Sequence, residues 1–85
     1  MPREKFTIGE PVEMLCDHLR DGRRVNDWLA GRVVQLDHRM VAVKFDTEVF
    51  ASNGWPIPDR TLWCAHGSRH VRRLEAQLHS QPEED

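Results

Sequence analysis

The sequence has 85 residues, of which 39% are hydrophobic and 31% are charged, a balance typical of one small folded domain. The formal net charge is −2, and without the acidic end Glu83, Glu84 and Asp85 it is near +1, which excludes a strongly basic or strongly acidic body. No stretch has the length of a membrane span, no apolar signal follows the N-terminus, and two cysteines do not make a disulfide framework. We therefore expect a cytoplasmic protein with reduced thiols.

The N-terminal half of the chain predicts two strands. After a lead-in over residues 1–9, apolar side chains at every second position predict a half-buried strand over residues 12–18. Residues 19–26 are polar and contain the turn dipeptide Asp21-Gly22, so we expect an exposed loop there. A second strand is predicted over residues 27–37, with a bulge or bend at its glycine. Its two faces should carry Leu29, Gly31 and Val33 on one side, and Trp28, Ala30, Val34 and Leu36 on the other.

The C-terminal half predicts three more strands. The clearest alternation covers residues 40–46, where Val41, Val43 and Phe45 share one face, and residues 47–52 are a candidate extension of this strand. Residues 55–58 contain two prolines, which cannot donate to a sheet ladder, so they predict an extended loop. Two further strands are predicted over residues 61–66 and 70–74. Together these elements predict one all-β domain over residues 1–76, a small barrel, followed by a disordered acidic tail over residues 77–85.

Two of the predicted strands carry a recognisable pattern. The runs WLAGRVVQLD (residues 28–37) and VAVKFD (residues 41–46) resemble the second and third strands of Tudor-like domains. The resemblance covers residues 10–74 in outline and implies a five-stranded SH3-like (Tudor-like) barrel. Barrels of this kind serve many ligands, so the resemblance is more specific for fold than for function.

Tudor-like domains commonly hold a methylated cation in an aromatic cage, by cation–π attraction. The resemblance implies that Trp28, Phe50 and Trp55 are the residues that could build such a cage here. Leu29 stands where these domains often have an aromatic residue, and position 47 is threonine where a glycine is usual. Aromatic residues of a small barrel also serve as core or rim packing, and that alternative stays open.

The most distinctive loop segment is Trp55-Pro56-Ile57-Pro58. Two prolines stiffen the loop and reduce the entropy lost on binding, and tryptophan is a frequent interface anchor. Alternatively, Trp55 folds back and plugs one end of the barrel. We expect a non-enzymatic interaction module, without a cofactor, that binds a protein or peptide through the face carrying Trp28, Phe50, Trp55 and Ile57. The oligomeric state stays open, because exposed strand edges allow pairing between copies.

The arginines support an alternative function. Ten of the twelve basic residues are arginine, and five of them fall in two groups on the predicted first loop and last strand: Arg23, Arg24, Arg69, Arg72 and Arg73. If both groups lie on one side, they would contact the phosphates of RNA or of a single strand, with a tryptophan as stacking surface. A solvated face balanced by nearby carboxylates is the competing interpretation, and the modest body charge favours it.

A second alternative is a zinc-stabilised domain, because the pattern Cys-x-His occurs twice, at Cys16/His18 and at Cys64/His66. On a strand, residues i and i+2 point to the same face, so four ligands would converge if the two strands met. This spacing is not one of the usual zinc spacings, and buried cysteines more often act as small hydrophobes. A Cys–His nucleophile would need an activated thiolate and an oxyanion hole, so we expect no enzymatic activity.

Overall fold

Residues 6–74 are described by a computed structural model, and they form an all-β fold. The strands are β1 (Pro11–Arg20), β2 (Arg23–Leu36), β3 (Met40–Lys44), β4 (Val49–Phe50), β5 (Thr61–Ala65) and β6 (Val71–Arg73). They join in one antiparallel sheet in the order β4-β1-β2-β3-β5, and β6 returns to pair with β1. This return curls the sheet into a nearly closed barrel, with a seam between β5 and β6. The predicted all-β barrel is therefore confirmed, and the predicted tail over residues 77–85 lies outside the described residues.

The core lies inside this curled sheet, where alternate side chains point inward. In β1 the predicted alternation is confirmed, because Val12, Met14 and Cys16 are buried. The same holds for the clearest predicted strand, whose Val41, Val43 and Phe45 are all buried in one apolar cluster, joined by Phe6, Val33, Val49 and Val71. No helix of the described residues has the length and apolar character needed to cross a membrane.

The hairpin between β1 and β2 is much longer than predicted. The two strands stay paired as far as Arg20 opposite Arg23, so the predicted loop over residues 19–26 is wrong. Only Asp21 and Gly22 form the turn, and both have positive φ, at 53° and 78°. Two residues of positive φ match the twist of the flanking strands, and Asp-Gly is a preferred pair for such a turn. Polar side chains pair across this outer part of the hairpin, which is why its composition resembles a loop.

A bulge in β2 corrects the predicted faces of that strand. The pairing with β3 shifts between Val33 and Gln35, so one extra residue is inserted at Val34, which is 41% exposed. Beyond an inserted residue the alternation changes sides. As a result Leu36 packs against the core, although the sequence places it on the face of Trp28.

The sequence predicts a bulge or bend at Gly31, but the structure shows another reason for a glycine at this position. A Cβ at this position would lie 2.7 Å from Cδ1 and Cε1 of the Phe45 ring and 2.8 Å from the carbonyl oxygen of Lys44. The glycine therefore allows β2 and the buried Phe45 to pack closely.

The segment after β3 does not extend that strand. β3 ends at Lys44, and β4 pairs instead with β1, placing Phe50 opposite Asp17 and Val49 opposite His18. Val49 is fully buried in the apolar cluster. The chain then turns at Gly54, whose φ is 93°, and passes through the proline-containing loop to β5.

Candidate functional site

One outer face of the sheet collects the charged and aromatic side chains that the sequence singles out. Paired residues of antiparallel strands share a face, and β1 places Leu15 opposite Trp28 and Asp17 opposite both Asn26 and Phe50. β6 adds Arg72 opposite Glu13. We call this surface the arginine–aromatic face; it comprises Glu13, Leu15, Asp17, Arg24, Asn26, Trp28, Phe50 and Arg72.

Arg72 lies flat against Trp28 on this face. Its guanidinium carbon is 3.7 Å from the centre of the indole ring. Its Nη2 lies 2.8 Å from Oε1 of Glu13, and its Nε donates to the same oxygen at 2.9 Å. The carboxylate and the ring thus hold one guanidinium in a fixed position, and one side of Trp28 is covered.

Arg24 repeats the arrangement with Phe50. Its guanidinium carbon is 4.2 Å from the centre of the phenyl ring, and its Nη2 is 3.6 Å from Oδ2 of Asp17. The other oxygen of Asp17 accepts a hydrogen bond from the side-chain amide of Asn26 at 2.6 Å. These groups are partly exposed, so each ion pair contributes only about 0–1 kcal/mol to stability, and their main effect is to orient the arginines.

These contacts bear on the cage that the resemblance implies. Within the described residues, no ring–ring contact joins Trp28, Phe50 and Trp55. The rings of Trp28 and Phe50 each carry one of the chain's own arginines instead. A methylated cation would compete with those guanidinium groups for the ring faces that they cover.

The loop after β4 presents Trp55 to solvent. The side chain is 71% exposed, so Trp55 lies at the surface and does not plug the end of the barrel. The Ala51 N–H donates to the Trp55 carbonyl at 2.8 Å, and the Trp55 N–H donates to Oδ1 of Asn53 at 3.0 Å. Phe50 and Pro56 also form a β-bridge, so the loop folds back against the edge of the arginine–aromatic face.

Ile57 differs from the other three residues of the predicted binding face. It packs against the core cluster, and its N–H donates to the Val49 carbonyl at 3.0 Å. It therefore helps to fix the base of the Trp55 loop, while Trp28, Phe50 and Trp55 remain at the surface.

The five arginines of the nucleic-acid alternative are spread over different sides. Arg73 follows Arg72 on β6 and so points to the opposite face, where it stacks on Phe6 at 4.8 Å and pairs with Glu10 at 2.6 Å. Arg24 and Arg72 are paired with carboxylates as described above. Arg23 and Arg69 are exposed and form no ion pair within residues 6–74. The structure does not gather the five into one patch of free cations.

The two Cys-x-His pairs lie partly inside the barrel. His18 is 1% exposed, and its Nδ1–H donates to the Cys16 carbonyl at 3.1 Å, while its Nε2 has no hydrogen-bond partner among residues 6–74. The Nε2–H of His66 donates to the Asp37 carbonyl at 2.7 Å. Among the described residues, no three His, Cys, Asp or Glu side chains come together in a way that could hold a metal ion. The four predicted zinc ligands therefore do not converge.

The cysteine thiols are protonated at neutral pH. Burial, together with the nearby Asp17 charge, raises the pKa of Cys16 from 9.0 to about 11, and burial alone raises the pKa of Cys64. Reactive cysteines need a lowered pKa, so the environment of both thiols opposes nucleophilic chemistry.

Sequence reasoning missed two surface features. Trp63, on β5, is 46% exposed and lies on the outer side of the barrel opposite Ala42. Asp27, at the predicted start of the second strand, accepts a hydrogen bond from the backbone N–H of Trp28 at 2.7 Å. The alternation of residues 61–65 could have placed Trp63 outward, but no local pattern signals the contact of Asp27.

Surface depressions on the described part of the chain are shallow and open. One, of about 250 Å³, lies where β2 leaves β1, between Ala30, Gly31, Arg32 and Lys44. Another, of about 480 Å³, is lined by the lead-in segment and Arg73. The chain matches no protein-family model, no curated protein and no solved structure.

Proposed function

We propose that the chain is a non-enzymatic interaction module, a Tudor-like barrel of the cytoplasm that binds a protein or peptide through Trp55 and the neighbouring arginine–aromatic face. The observation that carries the proposal is the exposed indole of Trp55 on a loop tied down by hydrogen bonds. A large apolar side chain held in water gains about 25 cal/mol for each Å² of apolar surface that a partner covers. Because the loop is already ordered, little entropy is lost on binding.

The surroundings of Trp55 support the same conclusion. Tryptophan and arginine are the side chains most enriched at interface hot spots, and both occur within this surface. Arg24 and Arg72 are oriented by their rings and carboxylates, so their remaining N–H groups are available in a fixed geometry. An incoming chain would meet an apolar anchor at one end of a face that carries two ordered hydrogen-bond donors.

The chemistry of the buried groups supports a non-enzymatic role. The thiols have raised pKa values, and each histidine of the Cys-x-His pairs donates to a backbone carbonyl and not to a thiol. Neither arrangement resembles an activated nucleophile with its base.

The test compares Trp55→Ala with Trp63→Ala, which removes a second exposed tryptophan from a different part of the barrel. Proteins retained by the immobilised wild-type chain are identified, purified and titrated against all three forms by calorimetry. We expect Trp55→Ala to weaken binding by at least about 30-fold, the effect of a hot-spot residue worth about 2 kcal/mol, and Trp63→Ala to leave it unchanged.

Thermal unfolding of the same variants provides the control. Trp55→Ala should retain the wild-type melting temperature, because most of its side chain touches no other residue. Equal affinity of the Trp55→Ala and wild-type proteins for every retained partner would contradict the proposal. Unfolding of Trp55→Ala would show that the residue serves packing and would contradict it as well.

A further inference from the structure

The longer, N-terminal part of β2 has one edge that no other strand within residues 6–74 covers. β1 pairs with β2 along the whole hairpin, but β3 pairs only with the part of β2 from Arg32 onward. The part from Arg23 to Gly31 therefore has a paired edge toward β1 and a free edge on its other side. Exposed edges of this length attract further strands, and folded proteins usually protect them.

The hydrogen-bonding pattern shows which backbone groups point to the free edge. The N–H of Leu15 donates to His70 at 2.7 Å and that of Leu19 donates to Glu48 at 3.2 Å, so these residues of β1 face away from β2. In an antiparallel ladder their partners Trp28 and Arg24 then face away from β1. Alternation extends this to every second residue, giving Arg24, Asn26, Trp28 and Ala30 as the edge positions.

One of these edge groups is already occupied by the chain itself. Asp27 accepts the Trp28 N–H through Oδ1 at 2.7 Å, and its Oδ2 is held by Arg20 at 3.0 Å. These two bonds, that of Trp28 first, lower the pKa of Asp27 below 3.8, so the carboxylate is ionised at neutral pH. No such contact involves the backbone N–H groups of Arg24, Asn26 and Ala30 within the described residues. Asp27 thus protects one position and leaves the others open.

We propose that this edge is a self-association site, at which two copies pair antiparallel along their Arg24–Trp28 segments with Asn26 facing Asn26. An edge of free N–H and C=O groups can be paired only by another extended chain. The same segment of a second copy is such a chain, and its side chains are complementary to those of the first. In the proposed register Arg24 of each copy lies opposite Trp28 of the other, an arginine–aromatic pairing that the fold already uses twice. The interface is two-fold symmetric, as in most dimers of identical chains.

The charges select this register over its neighbour. A shift to the longer overlap, with Arg24 opposite Ala30, would place Asp27 opposite Asp27, and like charges in that position are destabilising. In the proposed register Asp27 lies opposite Val25 and one diagonal step from Arg23, which has no ion pair within residues 6–74. To complete the pairing, Asp27 releases the Trp28 N–H to the partner's carbonyl, so Asp27 sets the strength of the dimer.

The test is the sedimentation behaviour of the whole chain from micromolar to millimolar concentration. We expect a monomer–dimer equilibrium for the wild type. Asp27→Ala removes the carboxylate that competes with the partner's carbonyl for the Trp28 N–H. Each dimer contains two such sites, so this variant should lower the dissociation constant at least ten-fold. Asn26→Lys places two like charges opposite each other and should raise it by up to about five-fold. Gln35→Lys adds the same charge on the part of β2 that pairs with β3 and should leave the dissociation constant unchanged.

Amide hydrogen exchange gives a second readout that does not depend on a variant. The N–H groups of Arg24 and Asn26 should become protected as the concentration rises, while that of Val25, already paired with β1, should not change. A wild-type chain that stays monomeric at millimolar concentration overturns the proposal, and so does a dimer that Asn26→Lys leaves intact. Trp55 lies beside β4, on the other side of β1 from this edge. Because Arg24, Asn26 and Trp28 belong to both surfaces, Trp55→Ala distinguishes the two proposals: it should weaken partner binding and leave the dissociation constant of the dimer unchanged.

Discussion

Replacing Gly31 by alanine tests the close packing between β2 and β3. The added methyl carbon would lie 2.7 Å from two ring atoms of Phe45 and 2.8 Å from the Lys44 carbonyl oxygen, whereas carbon atoms pack at about 3.5–4.0 Å. Phe45 is buried and the Lys44 carbonyl belongs to a paired strand, so neither can yield easily. Overpacking of this kind costs about 2–3 kcal/mol, and the smaller entropy of unfolded alanine returns about 0.5–1 kcal/mol.

The net expectation is a loss of about 2 kcal/mol in the free energy of unfolding. For a domain of this size that corresponds to a melting temperature lower by about 8–16 °C. Urea unfolding followed by tryptophan fluorescence measures the free energy, and calorimetry measures the temperature. Gly67→Ala is the matched control, because nothing lies within 4 Å of its added methyl group, and it should stay within about 0.5 kcal/mol of wild type.

A double-mutant cycle identifies the cause. Phe45→Leu removes the ring atoms that meet the new methyl group, so Gly31→Ala should cost about half as much in that background, the rest arising from the Lys44 carbonyl. A Gly31→Ala protein as stable as the wild type would refute the packing argument. An equal loss in the wild-type and Phe45→Leu backgrounds would refute the assignment to the ring.

Two further predictions concern titrating groups. The pKa of Cys16 is raised in the folded state, so the contribution of this thiol to stability is complete below pH 9.0 and is lost as the pH rises toward 11. Urea unfolding of the wild type should show a loss of about 2–3 kcal/mol over this range, and Cys16→Val should not show it. Wild type and variant weakening equally over this range would contradict that origin. The N–H groups of Met40 and Arg39 lower the pKa of Asp37, so its contribution is present above pH 3.8 and is lost as the pH falls through the lower folded value. Asp37→Ala should therefore reduce the melting temperature at neutral pH, and the difference from wild type should vanish in acid; a difference that persists there would contradict the ionic role of this turn residue.

The sequence predicts the barrel where alternation is local and regular. Val12, Met14 and Cys16 in β1, and Val41 and Val43 in β3, are alternating apolar side chains that are buried, so periodicity locates these strands and their inner faces. It fails at the outer hairpin, because Arg24 and Asn26 belong to a strand yet face solvent and carboxylates, giving a segment as polar as a loop. The bulge at Val34 also has no local signal, and it reverses the face of Leu36.

The candidate site is predicted less completely than the fold. Trp28, Phe50 and Trp55 could be selected by residue type, but their exposure depends on which strands become neighbours. β4 pairs with β1 across more than thirty residues of sequence, and that pairing is what brings Phe50 beside Asp17. Likewise, the neutralisation of Arg72 by Glu13 joins residues at opposite ends of the domain. Contacts of this range are set by topology, which a pattern of neighbouring residues does not contain.

The closure of the barrel has a consequence for how the chain folds during synthesis. β1 pairs with β6 through Val12 and Arg73, so one edge of β1 cannot pair until almost the last described residue has been synthesised. Until then the hairpin of β1 and β2 exists with an apolar inner face and unpaired backbone on both sides, a condition that favours aggregation. Closure across such a sequence separation is slow. Chains truncated before residue 71 should therefore remain open and be bound by chaperones, while a chain that includes β6 is released.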